Sequence, residues 1–273
     1  MNYTLNIKGR LLSLREPQVM GILNVTPDSF YAMSRVQTER EIAERANQIV
    51  AEGASMIDVG ACSTRPGSTP VTEEEEMRRL RLALDVVRCE LPFVTLSVDT
   101  FRPVVARMVV EEFGADIIND VGEGQEDMLR MVSRLRVPYV LMSARPTMRE
   151  TLLLFSERVQ RLRDMGQKDI ILDPGFGFGK NLEQNYEHLA ALEQLQVLQL
   201  PVLVGVSRKS MIFRLLGQEP AQALNGTTVL NTIALTKGAS ILRVHDVKET
   251  VESVKLVGKL GCYQGQAEDR YRG

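Results

Sequence analysis

Short apolar or β-branched runs alternate with longer amphipathic stretches from one end of the chain to the other. Val19–Leu23, Met56–Val59, Thr95–Val98, Asp116–Ile118, Tyr139–Met142, Ile170–Leu172, Val202–Val206 and Ser240–Val244 have the length and composition of strands. After them, in turn, Glu39–Glu52, Glu73–Cys89, Pro103–Phe113, Asp127–Leu135, Met148–Met165, Glu183–Leu195, Ala221–Lys237 and Glu249–Leu260 read as helices. Several strands are apolar throughout, as expected when both faces of a parallel sheet are buried. Eight strand–helix units in about 250 residues predict an α/β fold, the (β/α)8 TIM barrel. An open doubly wound sheet alternates in the same way, but it rarely needs eight units, and no Gly-x-Gly-x-x-Gly follows the first strand. Ahead of the barrel, Leu5–Ile7 and Leu11–Leu14 predict a short N-terminal β-hairpin covering its bottom. No Pro-, Gly- or Ser-rich linker divides residues 1–273, so a single domain is expected, with the polar tail 262–273 frayed.

Composition narrows the class. The 273 residues are 44% hydrophobic and 25% charged, which excludes wholesale disorder, collagen and coiled coil. The net charge of −2 gives no bulk basic field for nucleic acid. The longest apolar candidates, such as Pro201–Val206, have strand length, so no membrane span is expected. Met1–Arg10 alternates polar and apolar positions, unlike a secretory leader. Cys62, Cys89 and Cys262 are odd in number and widely spaced, which suits reduced thiols in a cytoplasm. With only His188 and His245 in the chain, a His-rich zinc site is not expected.

The chemically distinctive segments fall just after the strands, at the rim where barrel active sites gather. They are Asn24-Val25-Thr26-Pro27-Asp28-Ser29-Phe30, Ser63-Thr64-Arg65-Pro66-Gly67, Asp99-Thr100, Asn119-Asp120, Asp173-Pro174-Gly175-Phe176-Gly177-Phe178-Gly179-Lys180, Ser207-Arg208-Lys209-Ser210 and Arg243-Val244-His245-Asp246. Taken alone, Asp99 and Asp173 read as strand-end caps or turn residues. With Lys209 on the same rim they read better as a pocket, because a carboxylate buried that deep needs a ligand or a cationic partner. Arg243 and His245 are spaced i, i+2 and share one face of the last strand, a fit for an anion. Backbone N–H groups where a helix starts near Met211 also favour an anion. Gly175, Gly177 and Gly179 make a permissive loop whose backbone can pass close to a ligand. A nucleotide-binding glycine loop is the weaker reading, since no Gly-Lys-Ser/Thr ending opens a helix there.

Five of these segments, in order, resemble the motifs of the dihydropteroate synthase family of bacterial folate synthesis: Asn24–Phe30, Ser63–Gly67, Asp173–Lys180, Ser207–Ser210 and Arg243–Val247. The resemblance runs from about Val19 to Val254. It implies a pterin-binding TIM barrel, a homodimer as partner state, and two small-molecule substrates, para-aminobenzoate and 6-hydroxymethyl-7,8-dihydropterin diphosphate. The family joins them by an SN1-like substitution that releases diphosphate, and it is the target of sulfonamides. By resemblance Asp99, Asn119, Asp173 and Lys209 meet the pterin, with Met142 and Phe178 packing beside it. Asn24, Thr64, Arg243 and His245 meet the diphosphate, with Asn24 holding Mg2+. Arg65, Pro66, Ser207 and Lys209 meet the aminobenzoate. Lys209, Asp99, Asp173 and Arg243 are the expected catalytic group.

Three rim segments depart from the family pattern. Tyr31-Ala32-Met33-Ser34 stands where Ser, Asp and a Gly pair are usual, and Gly60-Ala61-Cys62 replaces Gly-Gly-Glu. Leu141–Thr147 is shorter than the usual His-Met-Gln-Gly-like stretch. Two alternatives stay open on sequence. One is a pterin-binding barrel that passes a methyl group to a corrinoid partner; the Ser63–Gly67 and Ser207–Ser210 segments argue against it. The other is a catalytically silent pterin-binding paralogue, for which the altered loops are the support. Cys62 is read as incidental, because a nucleophilic thiol needs a depressed pKa and a base partner.

Overall fold

The computed structural model describes residues 3–25, 35–62 and 71–271. A two-stranded antiparallel hairpin, β1 (Thr4–Ile7) and β2 (Arg10–Ser13), precedes eight parallel strands. These are β3 (Gln18–Asn24), β4 (Met56–Gly60), β5 (Thr95–Asp99), β6 (Ile117–Asp120), β7 (Tyr139–Met142), β8 (Ile170–Asp173), β9 (Leu203–Val204) and β10 (Ile241–Val244). They pair in chain order from β3 to β8, and β10 lies between β3 and β9. The gap between β8 and β9 is spanned by a Leu172–Val202 bridge, in which the Leu172 N–H donates to the Pro201 carbonyl at 2.9 Å. The barrel expected from the strand–helix alternation is therefore present, and so is the hairpin.

Helices separate the strands: α1 (Arg35–Ala51), α2 (Glu73–Glu90), α3 (Pro103–Phe113), α4 (Glu126–Leu135), α5 (Met148–Asp164), α6 (Leu182–Ala190), α7 (Ser210–Leu216), α8 (Leu224–Thr236) and α9 (Val247–Tyr271). Their starts are written in the sequence. Thr72 caps α2 ahead of four glutamates, Thr147 caps α5, and Asn181 with Gln184 forms a reciprocal capping box on α6. Among the described residues no helix is long and apolar enough to cross a membrane.

Side-chain alternation along the strands divides the core in two. Outward residues such as Ile57, Val59, Leu96, Val98, Tyr139, Leu172 and Leu242 pack with the helices. Inward residues Met20, Met56, Ile117, Val140, Ile171, Leu203 and Ile241 form a second cluster, closed from below by Leu5, Ile7 and Leu14 of the hairpin segment. The bottom of the barrel is thus sealed with apolar side chains. Two residues further along each strand the inward positions are Ile22, Asp58, Ser97, Asn119, Met142, Asp173, Gly205 and Arg243. This upper layer is polar, and it forms the floor of the site.

Several boundaries differ from the periodicity. The expected strand Val202–Val206 shortens to Leu203–Val204, because β9 has a full ladder only with β10. The expected helix Glu183–Leu195 breaks after Ala190 and continues as a 3-10 turn over Leu192–Leu198. Pro220 starts a separate 3-10 turn, so the next helix begins at Leu224 and not at Ala221. The last helix runs on to Tyr271, through the segment expected to fray; no proline interrupts it.

Candidate active site

Arg243, on β10, sits at the centre of the mouth. Its Nε donates to Asp58 Oδ2 at 2.6 Å and its Nη2 to Asp99 Oδ2 at 2.9 Å. Burial works against the Arg243 charge, but Asp58 and Asp99 outweigh it and hold the guanidinium firmly protonated. Asp58 is fully buried and also accepts from Ser97 Oγ at 2.6 Å and from Asn119 Nδ2 at 3.1 Å. Four strands are thus tied together by one polar network. Asp99 stands one step higher on β5, where burial pushes its carboxyl up to about 7 against the pull of Arg243.

Lys209 approaches from the loop after β9. Its Nζ donates to the Phe176 carbonyl and lies 4.8 Å over the Phe178 ring, a cation–π contact. Burial lowers its pKa to about 8, with Asp173 as the main opposing influence. Burial likewise raises Asp173, against Lys209 and the Gly175 N–H that donates to Asp173 Oδ1 at 2.8 Å. Gly205 lies beside both cations: a Cβ there would be in ordinary contact with Arg243 Cβ at 3.8 Å and Lys209 Nζ at 3.9 Å. Lys209, Asp173, Arg243, Asp99 and Asn119 therefore converge, as the rim positions predicted.

The loop after β8 is pinned from beneath. Lys180 donates to the carbonyls of Ser143, Gly175 and Phe178 at 2.9, 3.2 and 3.3 Å, using its three N–H groups on backbone. Gly175 has φ +65°, and a Cβ there would sit 2.2 Å from the Ser143 oxygen and 2.5 Å from Met142 Sδ. Only glycine lets the loop lie this close to β7. Met142, paired in register with Asp173, is buried beside it. The glycines thus serve close packing of the loop under Phe178, and the Lys180 ammonium is spent on that loop.

The remaining predicted residues fall as follows. Asn24 ends β3, and its Oδ1 lies 3.4 Å from where a Gly60 Cβ would be, beside Asp99. The His245 N–H donates to Ser207 Oγ at 3.2 Å, and its carbonyl accepts from Arg45 at 2.8 Å, so Ser207 and His245 are neighbours at the rim. Thr64, Arg65 and Pro66 lie outside the described residues. The adjacent basic residues 208 and 209 separate: Arg208 takes φ +52° and turns outward, holding both oxygens of Asp246 at 2.6–3.2 Å and the Ala221 carbonyl at 3.0 Å. Only Lys209 of this pair enters the mouth. The helix that follows, α7, has seven residues and no side-chain cap at Lys209.

Sequence reasoning missed Asp58 and Ser97. The signal was available, since Asp58 is the single carboxylate inside Met56-Ile57-Asp58-Val59-Gly60 and shares the inward parity of Met56. Asn119 carries a further mark: its Oδ1 is buried without a partner, which costs about 1–3 kcal/mol unless a ligand meets it. Burial and Glu76 push the Cys62 thiol up to about 12, although Arg102 lies 3.8 Å away, a direction opposite to the one an activated thiol needs.

Comparison with known proteins agrees with this geometry. Residues 20–245 match the family model described as pterin binding enzyme. The dihydropteroate synthase of Escherichia coli K12 is 41% identical over 266 residues, covering 92% of this chain and 94% of its own. The Xanthomonas albilineans dihydropteroate synthase, solved with 4-aminobenzoic acid, superposes with a TM-score of 0.88 at 38% identity, covering 96% of this chain and 99% of that one. The Yersinia pestis dihydropteroate synthase, solved with a sulfonamide drug, gives 0.86 at 38% identity, with 96% and 100% covered. With near-complete coverage from both sequence and structure, and a polar barrel mouth built from the motifs that carried the resemblance, the chain belongs to the pterin-binding enzymes and, among them, to the dihydropteroate synthases.

Proposed function

We propose that this chain joins the methylene carbon of 6-hydroxymethyl-7,8-dihydropterin diphosphate to the amine of para-aminobenzoate, giving 7,8-dihydropteroate and diphosphate. The observation that carries this reading is the convergence of three acceptors and one ammonium on a single barrel mouth. Asp99, Asp173 and the unpartnered Oδ1 of Asn119 are the acceptors, and Lys209 is the donor. A dihydropterin offers N–H donors at its 2-amino group, N3 and N8 and acceptors at O4 and N5, a complementary set. Met142 and Phe178 pack beside the ring.

In the reaction the methylene C–O bond breaks first, and its electron pair leaves with diphosphate. The resulting cation delocalises into the ring, where the carboxylates of Asp99 and Asp173 face it. The neutral aryl amine then forms the C–N bond with its lone pair, and the nitrogen gives its surplus proton to solvent. No protein nucleophile is needed; orientation and fixed charge supply the rate. Arg243, His245, Asn24 and Thr64 receive the diphosphate. The guanidinium has five N–H groups, of which Nε and Nη2 each give one to Asp58 and Asp99. Arg65, Pro66, Ser207 and Lys209 receive the aminobenzoate.

The amide oxygen of Asn24 at the rim suits a hard cation, so Asn24 is the residue that would hold Mg2+. The bound ion would supply positive charge to the diphosphate. The ligands of the Xanthomonas and Yersinia relatives support an aminobenzoate pocket here for which sulfonamides compete. We also place the chain in a cytoplasm as a homodimer: the free Cys89 is exposed, and Leu215, Leu216, Val229, Leu256 and Leu260 leave apolar area on the last three helices for a second copy.

The test is an assay of purified protein with the pterin diphosphate, aminobenzoate and Mg2+. Diphosphate release that depends on aminobenzoate is expected. Pterin binding without release, or release indifferent to aminobenzoate, overturns the proposal.

A further inference from the structure

Asp58 touches one group that faces the ring, Asn119, and one that faces the diphosphate, Arg243, and its chemistry constrains both. A carboxylate has no donor, so the Asn119 amide 3.1 Å away must turn its NH2 toward Asp58. The amide is planar, and its oxygen is then directed away from Asp58. That oxygen is the buried acceptor without a partner. The same carboxylate oxygen takes Arg243 Nε at 2.6 Å, while Ser97 Oγ occupies the other at 2.6 Å. The Arg243 plane is thus fixed between Asp58 and Asp99.

We propose that Asp58 is a positioning residue that sets the hydrogen-bond polarity of the floor. By turning Asn119 into an acceptor it makes the site demand an N–H from the heterocycle at that position. A ring bearing C–H or an acceptor nitrogen there leaves Asn119 Oδ1 buried and unpaired, and is rejected. The proposal rests on the pterin reading of the site.

The test uses Asp58→Leu and Asp58→Glu in the full chain and measures direct binding of a dihydropterin and of three analogues. Each analogue lacks one N–H, at the 2-amino group, N3 or N8. Wild-type protein is expected to bind every analogue at least tenfold more weakly than the parent. In Asp58→Leu, residue 58 no longer accepts, so Asn119 is free to turn over, and one of the three penalties is expected to vanish while the other two persist. Asp58→Glu keeps an acceptor-only group and is expected to retain all three. Retention of all three penalties in Asp58→Leu overturns the proposal, as does an equal fall in affinity for all four ligands. If Asp58→Leu folds poorly, Asn119→Leu tests the acceptor that Asp58 orients: it must abolish a single penalty, and abolishing none overturns the proposal. Wild-type protein that binds no pterin refutes the pterin reading itself, which separates the two failures.

Discussion

Replacing Arg243 with methionine isolates what the floor costs the fold. In the native protein the guanidinium neutralises Asp58, which is fully buried, and Asp99, whose side chain is 13% exposed. Methionine keeps most of the volume and removes the charge, so two carboxylates 2.6 and 2.9 Å from the former cation lose their partner. Breaking a buried ion pair from one side costs about 3–5 kcal/mol. At about 2–4 °C per kcal/mol for a chain near this size, the Tm is expected to fall by roughly 6–20 °C at pH 8. The pH dependence supplies the sharper check. Asp99 is already raised to about 7 by burial, and loss of Arg243 removes the influence that lowers it. A carboxyl whose pKa is higher folded than unfolded is least destabilising when protonated, and its penalty grows as pH rises from the unfolded value to the folded one and is complete above it. The stability gap between wild type and Arg243→Met, measured by urea denaturation, should therefore narrow from pH 8 towards pH 7 and change little from there to pH 5, where Asp99 is protonated in both folded proteins. A gap under about 1 kcal/mol at pH 8, or one that stays constant over this range, refutes the reasoning.

Four further outcomes are expected. Gly175→Ala forces a Cβ against the Ser143 carbonyl at φ +65°, and should cost at least about 2 kcal/mol in denaturant unfolding while weakening pterin affinity as the loop lifts. Pterin affinity by calorimetry should rise with pH through about 7 as Asp99 becomes an acceptor and decline above about 8 as Lys209 loses its proton; Lys209→Arg should remove only the upper decline. Arg208→Ala should lose about 1–2 kcal/mol of stability with little change in pterin affinity, because its guanidinium serves Asp246 and not the mouth. Lys209→Met should do the reverse, lowering kcat/KM by at least about 100-fold without loss of stability.

The barrel was legible because its strands are apolar on the outward face, and hydrophobicity alone reports that. Val59, Val98, Ile118 and Leu172 announce strands whatever their partners. The site was legible from the same period of two. Arg243 stands two residues beyond Ile241, as Asp173 does beyond Ile171 and Asn119 beyond Ile117. Asp58 obeys this rule beyond Met56 and was missed, since attention to strand ends passes over a carboxylate in mid-strand. The partner of each charge was not legible. Arg208 and Lys209 are adjacent and both basic, and only the left-handed backbone at Arg208 sends one to Asp246 and the other over Phe178. Local pattern also carries no information on how much ladder a strand will find. For that reason β9 shrank to two residues despite the apolar run around it.

The layering of the barrel interior explains why stability and activity should respond in opposite directions at Lys209. Below, an apolar plug from Met20 to Ile241 excludes water from the strands. Above it, Asp58, Asp99 and Asp173 are held in a medium that disfavours their charge, with burial the first cause of the upward shifts at Asp99 and Asp173. Such a floor is uncomfortable when empty and favourable toward a ring that becomes cationic as diphosphate departs, because fixed charges need no reorganisation at that moment. Lys209 and Arg243 make the empty state tolerable, yet they differ in kind. Arg243 is locked between two carboxylates, so its loss exposes the cost directly. Lys209 rests on a backbone carbonyl and an aromatic face, and burial, with the charges of Arg243 and Lys180, lowers it to about 8 against the pull of Asp173. Its removal relieves the fold of a buried ammonium and deprives the ring of its donor. A Lys209→Met protein that is as stable as wild type, or more so, and catalytically crippled is the signature of a charge kept for the transition state, whereas parallel losses of stability and rate at this position would make Lys209 a structural strut.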